Sequence, residues 1–231
     1  MPNLIKPYSR LLPPTDLGVP ENSFNILDGQ SLLRRIEWCA RISHRSEDAR
    51  TADSYDRFLR SVVLQHGDWS VTEHASVSVD FYVDRGITHE LVRHRLFAFT
   101  QESTRFVNYE KRMPPSFVLP QEILASLAAF EIWSAAIDAA EKGYRELLAL
   151  GFISPQIARS VFPNALASRI VVTGNLRNWR HFLLMRTTKE AHPQMRDVTI
   201  PLLAEFKAKI PILYEDIEPL AKQNDNLRKA R

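Results

Sequence analysis

Arg93-His94-Arg95-Leu96-Phe97-Ala98-Phe99-Thr100-Gln101-Glu102-Ser103-Thr104-Arg105-Phe106 sets three guanidinium groups, an imidazole and the Ser103 hydroxyl within thirteen positions, 93 to 105. Such a set is the wiring for an anion, because arginine forks bond phosphate or carboxylate oxygens in pairs. Leu96, Phe97 and Phe99 lie between the cations and can fix them against apolar mass. Charge alone leaves open a solvated basic helix face.

Working outward, Asp84 to Arg95 reads as a helix with Ile87, Leu91 and Val92 on one side, which puts the triplet at or near its C-terminal end, where the dipole favours cations. Before it, Ala75, Val77, Val79, Phe81 and Val83 alternate with Ser76, Ser78, Asp80 and Tyr82, the period of a strand with one face in the core. A helix over Ser54 to Gln65 ends at Gly67, a residue suited to a left-handed stop. Leu32, Leu33, Ile36, Cys39 and Ala40 recur at helical spacing up to about Ile42, with Asp28 available as a cap. The proline-bearing residues 1–27 read as an extended arm or early edge strand followed by loop. Downstream, Gln121 to Leu150 reads as one long helix closed by Gly151, and Pro155 opens a short helix carrying Arg159. Ile170 to Thr173 is a β-branched segment able to pair with the strand at 75–83, followed by a helix from Leu176 to Thr188. On that helix Arg177, Arg180 or His181, and Arg186 project toward one region, and Pro201 and Pro211 bracket the last helical stretch.

The 231 residues, 45% hydrophobic and 25% charged, suit a soluble globular chain and are read as a single domain over 1–231 with a flexible basic tail from 216 to 231. No apolar run approaches the roughly 20 residues of a membrane helix, and prolines interrupt the N-terminus where a secretion signal needs an unbroken apolar region. A cytoplasmic setting is expected, and the lone Cys39 agrees with a reducing one. Cys39 reads as a small residue filling a helix interface rather than a nucleophile. The net charge of +3 is small, but the cations gather at Arg93–Arg112 and Arg159–Arg196. No helix-turn-helix, zinc-finger or RNA-binding signature accompanies them, so a small phosphorylated ligand is favoured over nucleic acid. With seven glycines and no GxGxxG there is no Rossmann cradle, and without HExxH or comparable spacing a metal hydrolase is disfavoured and no metal ligand is assigned.

Arg-His-Arg, seven residues, then serine resembles the signature of the flavin-dependent thymidylate synthases. Other blocks agree in order: Cys39 to Ser43, His66-Gly67 followed by Ser70 to His74, Ala158-Arg159, and Gly174 to Phe182 ending at Met185-Arg186. Separate blocks at compatible separations carry more weight than one motif. The resemblance implies an α+β fold, a central, largely antiparallel sheet with flanking helices, generally a homotetramer whose active sites draw residues from more than one subunit. It implies reductive methylation of dUMP to dTMP, with methylenetetrahydrofolate giving the carbon and NADPH the electrons through FAD. Side chains would then hold the pyrophosphate. By the resemblance the flavin contacts are Ser43, Ser70, Glu73, Arg93, His94 and Arg95, together with Gln101, Asn175, Arg177, His181 and His192. Arg105 and Arg159 suit the dUMP phosphate, with Ser103 and the Thr104 backbone nearby; Glu90, Arg93, Gln101 and Glu102 complete the nucleotide contacts. Arg186 resembles the family's catalytic arginine, which sits at the pyrimidine and favours ionisation at N3.

Three positions depart from the pattern: Asp68 where many relatives have a second histidine, Glu90 where many have glutamine, and Ala98 where serine is frequent. Asp68 is expected to bond a backbone amide, and Glu90 to face the sugar or base rather than the phosphate. Ser103 is not assigned as a nucleophile, since its sequence neighbours offer no activating base. The reading from a different class is a non-catalytic nucleotide or RNA binder of the same fold.

Overall fold

The computed structural model describes residues 2–12, 29–111 and 113–222. Asp28, most of the loop after the N-terminal arm, Arg112 and residues 223–231 of the basic tail lie outside the described residues.

The element order is β1 (Asn3–Ile5), β2 (Tyr8–Leu12), α1 (Gly29–Ile42), α2 (Ser54–Leu59), β3 (Ser76–Asp84), α3 (Arg85–Leu91), β4 (Ala98–Gln101), β5 (Ser116–Val118), α4 (Gln121–Leu124), α5 (Leu127–Ala149), α6 (Pro155–Ala158), β6 (Ala167–Asn175), α7 (Leu176–Arg186), α8 (Pro193–Lys209) and α9 (Pro211–Tyr214). Strands β2, β3, β6 and β4 form a four-stranded sheet in that order. Ser78 Oγ lies 2.7 Å from Thr173 Oγ1, while the Arg85 amide donates to the Leu166 carbonyl at 3.0 Å. Numbering thus rises along β3 as it falls along β6, so the expected antiparallel sheet with helices is what forms. Helices and strands divide into two compact units, Met1–Tyr8 with Phe81–Arg93 and Phe99–Val171, and Ser9–Asp80 with His94–Ala98 and Val172–Arg231.

In the first unit, β1 pairs in parallel with β5 in the register Asn3 to Ser116, Leu4 to Phe117 and Ile5 to Val118. Tyr109, Phe117, Ile137, Tyr144, Ala158 and Leu166 make its core cluster, against which Phe162 packs. Tyr144 and Phe162 stack at 4.5 Å between centroids, an offset aromatic pairing that adds to simple burial. Asp84 caps α3 by accepting from the Ile87 amide at 2.7 Å.

Two expectations need correction here. The helix expected to run to Arg95 stops at Leu91, and the Arg-His-Arg triplet occupies turns beyond its end. The helix expected as one piece from Gln121 to Leu150 is two. Ser126 takes an extended conformation, φ −141° and ψ 123°, and its hydroxyl accepts from the Ala129 amide, so α5 starts afresh there. A serine competes with helical bonding by this local alternative.

In the second unit, Val77 and Val79 of β3 are buried while Ser76 is exposed, as the alternation requires. Asp80, on the polar set, is fully buried, and Arg10 Nε neutralises it at 3.0 Å. Helix α1 buries Leu33, Ile36 and Ala40 but also Glu37, whose carboxylate accepts from Arg41 at 2.9 Å and Ser54 at 2.7 Å. Cys39 is half-buried. Helix α2 continues as a π-helical turn, Arg60–Gln65, and the chain then turns at Gly67 with φ +82°, the left-handed stop expected there. Trp179, Phe182 and Phe206 are buried in this unit, and Trp179 Nε1 donates to the Val77 carbonyl at 3.1 Å.

Pro201 does not bracket a helix but lies inside α8, which spans Pro193–Lys209. It is tolerated because it sits on the exposed side, where the position lacking an N–H faces solvent. Of the segment read as tail, Asp216 bonds Arg180, Ile217 is fully buried, and the Leu220 amide donates to the Thr187 carbonyl at 2.7 Å. Order thus extends past residue 216. Among the described residues no helix is long and apolar enough to cross a membrane, and no group of three His, Cys, Asp or Glu could hold a metal ion.

Candidate functional site

The junction of β6 and α7 opens on a cavity of the second unit. Asn175 ends the strand and caps the helix, its Oδ1 accepting from the Asn178 amide at 2.8 Å. The Leu176 amide also donates, to the Ala75 carbonyl at 3.0 Å, so what the first turn of α7 offers an anion is chiefly the positive end of its dipole. Arg177 and His181 lie four residues apart, hence on one helix face. They line a cavity of about 590 Å³ with Trp69, Glu73, Leu96, Asn175, Asn178, Arg180 and Leu184. Glu73 Oε1 accepts from Arg177 at 2.6 Å, both side chains being about half exposed. An ion pair in so much water adds little stability, so its consequence is the aim of the guanidinium. Asn178 Nδ2 donates to the Leu96 carbonyl at 3.1 Å, tying the turn after the triplet to α7.

The structure separates the alternatives Arg180 and His181. His181 is exposed at the cavity. Arg180 is buried and holds both Asp216 carboxylate oxygens at 2.7 Å and the Leu213 carbonyl at 2.6 Å, with Trp69 stacked on it at 4.3 Å.

At the other end of α7, Arg186 Nε donates to His94 Nε2 at 2.9 Å. Accepting at Nε2 requires a neutral ring with its proton on Nδ1. The electrostatics agree: burial, then the Arg186 cation, then His181 lower the His94 pKa to about 4. Phe182 meets the imidazole edge-on at 4.9 Å, with Phe97 at 6.4 Å. Phe97 itself fits only because residue 174 is glycine; a Cβ there would fall 2.2 Å from its ring.

The first unit carries a second cluster. Arg159 Nη1 donates to Thr104 Oγ1 at 2.6 Å, and both line a small cavity of about 170 Å³ with Arg85, Ser160, Phe162 and Leu166. Arg105 is exposed and donates to Gln156 Oε1 at 2.8 Å. Ser103 Oγ accepts from the Arg105 amide at 3.3 Å. Gln101 Nε2 donates to Thr88 at 3.0 Å and to Ser168 at 3.2 Å. Glu102 accepts from the Tyr109 hydroxyl at 2.8 Å, whose pKa burial and then the Glu102 charge push up. Glu90 is half-buried and Arg93 exposed.

Other residues named from the sequence stand apart from the lining of these cavities. Ser43 bonds the Ala40 carbonyl and His44 at 2.8 Å each; Ser70 and Arg95 are exposed. His192 caps α8 by accepting from the Gln194 amide at 3.3 Å. Asp68 makes no side-chain bond to the turn it precedes. Conversely, sequence reasoning did not single out Trp69, Leu96, Asn178 or Arg180 as one lining. Asn178 and Arg180 lay within the Gly174–Phe182 block and Trp69 beside Ser70, so the signal was proximity to matched motifs rather than chemistry.

The family described as Thy1, thymidylate synthase complementing protein, matches residues 28–212. A flavin-dependent thymidylate synthase of Mycobacterium sp. (strain JLS) is 36% identical over 238 residues, 92% of this chain and 91% of that protein. One of Mycobacterium tuberculosis (strain ATCC 25177 / H37Ra) is 34% identical over 229 residues, covering 90% of this chain and 89% of its own. Among solved structures, the UMP/dUMP methylase PolB of Streptomyces cacaoi, bound with 5-Br dUMP, has a TM-score of 0.71 at 22% identity. That likeness covers 92% of this chain and 95% of PolB and speaks for the fold.

Proposed function

Because the chain belongs to the flavin-dependent thymidylate synthase family, we propose that it methylates dUMP reductively to dTMP, with methylenetetrahydrofolate as carbon donor and NADPH as the source of electrons through FAD. The observation that carries this reading is the cavity at the N-terminus of α7, lined by Asn175, Arg177, Asn178 and His181 beside Trp69, Leu96 and Leu184. Its donors suit a diphosphate and its apolar surfaces a planar ring, so the residues fit FAD without a Rossmann loop. FAD, when bound, supplies the two-electron chemistry that no side chain can.

The chain's own residues hold and polarise. Arg177, aimed by Glu73, and His181 with Asn175 take the flavin phosphates; Ser43, Ser70, Arg93, His94, Arg95, Gln101 and His192 are the remaining flavin positions proposed. Arg105 and Arg159 take the dUMP phosphate with Ser103 and Thr104, while Glu90, Arg93, Gln101 and Glu102 lie toward sugar and base. Arg186 is the catalytic cation. Its Nε is anchored on a neutral His94, so the guanidinium plane is fixed before the pyrimidine develops negative charge at N3. A pre-set cation of this kind is worth on the order of 3 kcal/mol per well-placed donor.

The family match over residues 28–212 supports reading one catalytic domain, taken here as 1–231. A homotetramer with shared active sites, in the cytoplasm, completes the reading. The purified protein is expected to be yellow, or to become so with FAD, and to oxidise NADPH faster when dUMP is added. A colourless chain that cannot be reconstituted overturns it, and RNA binding with a steep salt slope would put the non-catalytic binder in its place.

A further inference from the structure

Trp69 begins the short turn Trp69–His74, and its half-buried ring forms part of the wall of the 590 Å³ cavity. One face is covered by Arg180, whose guanidinium carbon stands 4.3 Å from the ring centroid. That cation is fixed in place. Its side chain is 4% exposed, Asp216 grips it through two bonds of 2.7 Å, and the Leu213 carbonyl adds a third at 2.6 Å. The neighbouring Glu215 is in turn bonded to Arg60 in the π-helical turn that leads into Trp69. An indole packed on an immobilised cation is a rigid plate, and its remaining accessible surface is what a ligand in the cavity meets.

The surroundings say what kind of ligand. Arg177, His181, Asn175 and Asn178 offer donors for phosphate oxygens, and Leu96, 79% exposed, offers apolar surface with no polar task. A cation-rich rim beside an aromatic plate takes a molecule with an anionic part and a flat ring. We infer that Trp69 is a stacking platform for the planar heteroaromatic ring of a phosphate-bearing ligand, locked in orientation by the Arg180–Asp216 clamp. The inference deepens the proposed flavin and nucleotide site and rests on that reading. The isoalloxazine and the adenine of FAD share this chemistry, and binding of the parts distinguishes them.

The test measures binding of FAD, FMN and ADP, each alone, to the full chain as wild type, Trp69→Phe and Trp69→Ala, with melting curves of each ligand-free protein. Loss of the ring is expected to weaken FAD binding roughly tenfold or more, while Trp69→Phe stays within about threefold. FMN shares the loss if the ring on the plate is isoalloxazine, ADP if it is adenine. A folded Trp69→Ala chain that binds all three as the wild type does overturns the inference and leaves the flavin reading standing. A wild type that binds none of them overturns both. Should Trp69→Ala fail to fold, the wild-type minus Trp69→Phe emission is followed during FAD titration. Quenching of that difference supports the platform, and an unchanged difference overturns it.

Discussion

Arg186 and His94 share one hydrogen bond of 2.9 Å, and each sets the other's state. Burial first and then the arginine keep the imidazole neutral, and the imidazole, itself wedged against Phe182, holds the guanidinium in one plane. Replacing Arg186 by alanine is expected to lower turnover by about a hundredfold, the worth of one pre-set donor, while flavin absorbance is retained. Steady-state rates and the visible spectrum of the same sample check this. In that variant the His94 pKa should rise from about 4, because a repelling cation has gone; imidazole signals followed by NMR titration read it directly. Gly174 is a second residue with a sharp consequence. Its Cβ would strike the Phe97 ring, so Gly174→Ala should cost roughly 1–3 kcal/mol by forcing that ring aside, seen as a lower denaturant midpoint.

At the scale of elements, caps decide where helices begin and so where side chains aim. Ser126 divides what periodicity alone joins into α4 and α5, and Ser126→Ala is expected to cost about 1 kcal/mol, with Ser126→Asp restoring it in chemical denaturation. Asn175 is more consequential, since it caps α7 and lines the cavity at once. Helix α3 illustrates a boundary that periodicity overshoots. Val92 continues the apolar spacing, yet the chain leaves the helix after Leu91, and beyond the triplet the Phe97 ring packs on Trp179 at 4.6 Å, a long-range contact that no local pattern encodes. Strand β4 was hidden for a related reason, because the four residues Ala98–Gln101 are too few to establish a period of two, and their pairing with β6 is what makes them a strand.

For the whole molecule, acid should act through His94. Its folded pKa, about 4, lies below the ordinary 6.5, so between these values the unfolded chain takes a proton that the folded one refuses. Stability of the ligand-free protein is therefore expected to be intact above pH 6.5 and to decline as pH falls toward 4. Urea midpoints across that range measure it, and a His94→Gln variant should show a flatter profile; identical slopes in the two proteins would count against the assignment.

What the sequence determined by itself was local and chemical. The alternation from Ala75 to Val83, the stop at Gly67 and the ordered blocks around Arg93 to Ser103 were legible because each is written within a few neighbouring residues, and the class of fold followed from the resemblance that those blocks carry. Tertiary structure decided which cations work and which brace. Arg180 and His181 are adjacent in sequence, yet one is buried on Asp216 and the other opens to the cavity. Asp216 lies 36 residues from Arg180 and His94 lies 92 from Arg186. Pairing at such separations depends on which groups burial forces together, and burial belongs to the folded chain.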